Sequence, residues 1–122
     1  MTLQRIRLEL ARTAEFPDGS SARGYEVVAP LADDGQLDPV GWRAERAACT
    51  VHRFWAGEDD EYGQLVHHRG HQWAFRYGDA GDEEEPIFRL DRHRFAVGEY
   101  VSITEHDGVQ RTFRVVEVAP MT

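Results

Sequence analysis

The last quarter of the chain, Gly98 to Val118, alternates polar and apolar residues on both sides of an Asp107-Gly108 pair and reads as a β-hairpin. Its register follows from comparing two loops. A two-residue Asp107-Gly108 turn would put Val101 and Ile103 on one face with Arg114 and Thr112, and would strand Phe113 and Val115 on the other. A three-residue loop, His106-Asp107-Gly108, sets Val101 against Phe113 and gathers both with Ile103 and Val115. Because a slip of one residue exchanges the faces of a strand, the register that collects the apolar residues is expected. Tyr100/Arg114, Ser102/Thr112 and Thr104/Gln110 then pair on the opposite face. Loops of this length end in a left-handed residue, a conformation that suits Gly108.

The same periodicity runs through the chain. Ile6, Leu8 and Leu10 alternate with Arg5, Arg7 and Glu9, predicting a strand over 3–11; after a Phe16-to-Ser21 loop, Tyr25 to Leu31 reads as a second. Pro30 marks an edge or a strand end, since it has no N–H for the ladder. The period then changes once. Asp38 is placed to cap a helix, Pro39 to open it, and Leu37 and Trp42 to close a hydrophobic staple, predicting a short helix over 39–47. Cys49 to Trp55 is β-branched and aromatic, a third strand. Gln64 to Tyr77 reads as a hairpin with a Gly70-His71 turn, in which Val66 opposes Phe75 and His68 opposes Trp73, with Leu65, His67, Arg69, Gln72, Ala74 and Arg76 on the other face. Ile87 to Leu90 adds a short strand. The expected fold is mainly β: one domain over residues 1–122, a small antiparallel barrel or sandwich of seven to eight short strands with one short helix.

Composition removes several chemistries. All 14 basic residues are arginine, so Schiff-base, pyridoxal-phosphate and P-loop chemistry have no lysine to use. Cys49 stands alone, which excludes an intrachain disulfide and agrees with a reducing, cytoplasmic setting. No window approaches the roughly 20 apolar residues of a membrane helix. The net charge of −8 is uneven: Glu58 to Glu61 and Asp79, Asp82, Glu83, Glu84 and Glu85 hold nine of the 22 acids, leaving 13 against 14 arginines. These two runs read as solvated loops, and neither has the ligand spacing of a calcium loop.

Among candidate sites, His67, His68 and His71 invite a metal, but on a strand the first two point to opposite faces and the third sits at a turn, so no metal is assigned. Cys49 and His52, three apart on a strand, are likewise separated, and Cys49 reads as a small core residue. No nucleophile elbow, paired-cysteine motif or Gly-rich phosphate loop occurs, and no cofactor is implied. The locally basic Arg89 to Phe95 follows Asp82 to Glu85, whose carboxylates would repel phosphate, so nucleic acid is not an expected partner.

The arginine-spaced first strand, Phe54-Trp55-Ala56-Gly57-Glu58-Asp59-Asp60-Glu61, Trp73-Ala74-Phe75 and Gly98 to Ile103 together resemble a family of conserved, uncharacterised bacterial proteins. The resemblance covers most of the chain and implies a small mostly-β domain without implying an activity. The functional expectation is therefore a non-catalytic binding or adaptor module for a protein or a small anionic ligand, acting as a monomer or weak homodimer away from membranes. Its expected ligand-binding residues are Arg53, Trp55, His68, Trp73 and Arg76, where aromatics and arginines are dense and carboxylates are absent. The alternative is a small enzyme or metal-dependent barrel assembled from His52, His68, His93 or His106 with distant carboxylates.

Overall fold

A computed structural model describes residues 3–68, 72–77, 83–88 (main chain only), 94–105 and 107–121. Eight strands follow one another around a closed antiparallel barrel: β1 (Leu3–Leu10), β2 (Ser20–Pro30), β3 (Thr50–Trp55), β4 (Glu61–His68), β5 (Gln72–Tyr77), β6 (Glu83–Phe88), β7 (Tyr100–Thr104) and β8 (Gln110–Pro120), with β8 returning to pair with β1. Each strand pairs with its sequence neighbour, β6 and β7 through two residue pairs only, Ile87 with Ile103 and Phe88 with Ser102. Pro30 lies at the end of β2, opposite Leu3.

Alternation places Ile6, Leu8, Tyr25, Val27, Val51, Leu65, Phe75, Val101, Ile103, Phe113 and Val115 in the interior, each less than 2–3% exposed. A barrel of eight strands is just wide enough for such side chains to fill it, so its middle is a packed core. Tyr25 lies centrally, its ring 5.1 Å from both Phe75 and Phe113.

The closing hairpin has the expected register, with Val101 opposite Phe113 and Tyr100, Ser102 and Thr104 opposite Arg114, Thr112 and Gln110. The Glu105 N–H donates to the Val109 carbonyl, the Gly108 N–H donates to the Glu105 carbonyl, and Gly108 takes a φ of 79°. His106 lies outside the described residues.

The other long hairpin is shifted by one residue from the expected pairing. Leu65, not Val66, opposes Phe75, and His67, not His68, opposes Trp73. The rule that decided the closing hairpin applies here as well: this register buries Leu65 beside Phe75 and Trp73. Since His68 pairs with Gln72, the connection is three residues long rather than a two-residue Gly70-His71 turn, whose residues fall outside those described. A Cβ at Gly63 would collide with the Arg76 carbonyl, so the strands approach more closely there than any other residue permits.

The helix α1 (Pro39–Ala44) begins as expected. The Asp38 carboxylate accepts from the N–H groups of Val40 and Gly41 at 3.0 and 3.2 Å, and Leu37 and Trp42 are both buried. It ends sooner than 47, because Glu45 leaves helical dihedrals and a single 3-10 turn (Arg46–Ala48) follows. Trp42 donates its indole N–H to the Leu65 carbonyl at 2.9 Å, so α1 stoppers the end of the barrel where β1 begins, called the lower end below. The second acidic run is only partly a loop: Glu83, Glu84 and Glu85 belong to β6, opposite Tyr77, Arg76 and Phe75. Among the described residues no helix is long and apolar enough to cross a membrane.

Candidate functional site

At the upper end the inward positions change character. Beyond Val51 come Arg53 and Trp55, beyond Ile103 comes Glu105, and before Phe113 comes Arg111. Glu105 is 3% exposed. Its Oε2 accepts from the Tyr25 hydroxyl at 2.7 Å and Arg53 Nε at 3.1 Å, and its Oε1 accepts from Arg111 Nη1 at 2.8 Å. Arg53 also meets Glu58 at 3.2 Å and Glu61 at 3.8 Å, and Arg111 meets Glu15 and Asp107, each at 3.1 Å. Three guanidinium groups surround the Trp55 ring: Arg53 at 4.5 Å, Arg111 at 5.5 Å and Arg23 at 5.8 Å. Arg23 also covers the Phe16 ring.

Buried charges persist only when paired, and here each is. Burial works against the Arg53 charge, but Tyr25 and Glu105 outweigh it and hold its pKa above the ordinary arginine value. The balance is the same at Arg111, where burial is overcome by Glu15, Glu105 and Asp107. Neither guanidinium gives up a proton near neutral pH. The arrangement therefore locks four strands (β2, β3, β4 and β8) and three loops across the mouth, and its arginines already hold carboxylates.

The five residues expected to bind ligand fall in three places. Arg53 and Trp55 lie in the upper mouth. Trp73 is a core residue at the lower end, 4% exposed, with His67 stacked on it at 4.2 Å and Trp42 edge-on at 5.9 Å. His68 and Arg76 lie on the alternate, outward positions of β4 and β5. The surroundings of Arg53 are not free of carboxylates: Glu58, Glu61 and Glu105 all converge on it.

The histidines are dispersed as well. His52 faces outward, bonded to Asp60 at 2.9 Å and stacked on Tyr62 at 4.6 Å, while Cys49 is fully buried on the other side of the wall. Burial, with Glu45 nearby, pushes the Cys49 thiol up to about 11. Among the described residues no three His, Cys, Asp or Glu side chains are grouped as metal ligands; His71, His93 and His106 lie outside them.

A different feature stands on the outer wall. Two irregularities along β1 reshape the sheet: Glu9 pairs with Gly24 but Leu10 with Ser20, so Ser21, Ala22 and Arg23 have no partner on β1 while Arg23 stays paired with Trp55 on β3, and Val116 is an extra residue between the partners of Arg7 and Leu8. At the crossing a Cβ on Gly24 would collide with the Leu8 carbonyl, so glycine is required there. Together with the loop after β1, these irregularities frame an open cleft of about 1020 Å³ whose lining includes Arg12, Asp18, Ser21, Tyr100 and Arg114. Sequence reasoning placed Tyr100 and Arg114 on the outward face of the closing hairpin but had no signal for the bulges that bring Arg12 beside them.

Comparison with family models, with curated proteins and with solved structures finds no match.

Proposed function

We propose that the protein is a non-catalytic binding module that meets its ligand on the outside of a filled barrel. The carrying observation is the contrast between its arginines. Arg53 and Arg111, inside the mouth, each hold three carboxylates, whereas Arg12 and Arg114 line an open cleft with no carboxylate or ring partner among the described residues. Among the described residues the interior is lined by buried aromatic and branched side chains, from Leu65 to Phe113, which favours the outer wall. Neither His52, bonded to Asp60 on the outer face of β3, nor the buried Cys49 thiol lines the cleft. The favoured ligand is a small anion, with a protein as the broader class of partner. Membership of the resembled bacterial family and a cytoplasmic setting belong to the same proposal.

Native mass spectrometry of protein purified without chelator tests this reading. The expected spectrum shows the bare chain or the chain with a weakly held organic adduct. A stoichiometric transition metal, or turnover of an adduct on incubation, would replace the module with the metal-dependent or enzymatic alternative.

A further inference from the structure

We infer that the Arg12–Arg114 cleft binds a small organic anion, a carboxylate or phosphate group carried on a flat ring that lies against Tyr100. The inference rests on the outer-wall reading above and adds the site and the ligand chemistry.

The argument starts from charge. Acids outnumber arginines by 22 to 14, and the described arginines are almost all engaged. Arg5 meets Glu117, Arg7 meets Glu9 and Glu26, Arg94 meets Glu99, and Arg23 and Arg46 cover aromatic rings. Arg12, Arg43 and Arg114 are the described arginines left without such a partner, and two of these three line one cleft. Of the two acids in the cleft, Glu9 is already bonded to Arg7 at 2.9 Å. Glu9 is also the ladder partner of Arg114 and Arg7 is shared with Glu26, so the lining sets two carboxylates beside two guanidiniums, and what leaves the donors of Arg12 and Arg114 open is that neither makes an ion pair among the described residues. Guanidinium forks match planar carboxylate and phosphate oxygens.

The remainder of the lining points to the body of the ligand. Tyr100 is 53% exposed and opposes Arg114 across β7 and β8, offering a ring face beside a guanidinium. The Ser21 side chain is exposed, whereas the Thr112 hydroxyl is shared with Ser102 at 3.3 Å. The volume admits a ring bearing an acid group with space to spare. The loop that carries Arg12 is held in place by the Ala11 N–H donating to the Thr112 carbonyl and by Gly19 at a φ of 71°, where a Cβ would press on the Leu10 carbonyl.

Titration calorimetry at low salt with phenyl phosphate, benzoate, inorganic phosphate and phenol tests the inference. Phenyl phosphate and benzoate should bind saturably, inorganic phosphate more weakly, and phenol not at all. Arg12→Ala and Arg114→Ala should each weaken phenyl phosphate about tenfold, the worth of one charge-assisted hydrogen bond. Arg43→Ala, on α1, should leave it unchanged. Tyr100→Ala should weaken the two ring-bearing anions and spare inorganic phosphate. Asp18→Asn should tighten binding about twofold to threefold by removing an exposed like charge. Absence of saturable binding by every anion overturns the inference, as does an equal loss in Arg43→Ala, which would mark unspecific charge attraction. If another ligand instead shifts outer-wall residues away from the cleft, the inference fails while the outer-wall reading stands; anion binding that survives both cleft substitutions and moves interior side chains removes both.

Discussion

Replacing Glu105 by Gln keeps the shape of the side chain and removes the one carboxylate shared by Tyr25, Arg53 and Arg111. The amide can accept through one oxygen only, and its NH2 group then confronts a donor where Oε1 or Oε2 had accepted. Removing one partner of a buried ion pair costs about 3–5 kcal/mol. The lower figure applies here, because Arg53 retains Glu58 and Glu61 at the rim and Arg111 retains Glu15 and Asp107. For a chain of 122 residues an unfolding entropy of about 2.1 cal/mol/K per residue makes each kcal/mol worth roughly 4 °C, so Glu105→Gln should lower Tm by about 12 °C. Tyr25→Phe, which removes one donor, should cost about 1–1.5 kcal/mol, or roughly 5 °C. The assay is thermal unfolding followed by circular dichroism, with a urea titration to confirm an unchanged m value. A Glu105→Gln midpoint within about 2 °C of the parent, below the cost of one lost buried hydrogen bond, would refute the claim that this carboxylate holds the mouth together.

Tryptophan truncation should separate core from rim: Trp73→Ala should cost about 3–5 kcal/mol, and half-buried Trp55→Ala markedly less, as read by urea unfolding. Cys49 should resist iodoacetamide in the native protein at pH 8 and react on unfolding, since it is fully buried with its pKa pushed up to about 11. Because that folded pKa lies above the unfolded value, the thiol's contribution to stability is complete below about pH 8.5 and is lost as pH rises toward 11, so Cys49→Ala should flatten the alkaline limb of a stability–pH curve. Filter binding at physiological salt should show no sub-micromolar affinity for generic duplex or single-stranded nucleic acid, given the net charge of −8.

Much of the barrel was legible in the alternation of its strands. The closing hairpin was read to the residue because Val101, Ile103, Phe113 and Val115 permit one apolar register, and the helix start because Asp38, Pro39 and Trp42 each occupy a capping position. In the middle hairpin a favoured two-residue turn points to one register and the burial of Leu65 against Phe75 to the other, and burial decides it. The mouth cluster was within reach of the same reasoning: Arg53, Glu105 and Arg111 each sit two residues from a core side chain, so opposite charges were bound to meet inside. The outer cleft was not legible, because it depends on β2 leaving its pairing with β1 between Gly24 and Ser20, and a bulge of that kind leaves no periodic trace.

The central claim, a filled barrel that binds on its outer wall, is tested most directly by mapping phenyl phosphate on the labelled protein by NMR. The account predicts saturable shifts of the backbone amides of Arg12, Ser21, Tyr100 and Arg114, with the methyl groups of Ile6, Leu65 and Ile103 inside the barrel unmoved. Shifts centred on those interior methyl groups, with the cleft amides silent, would contradict it.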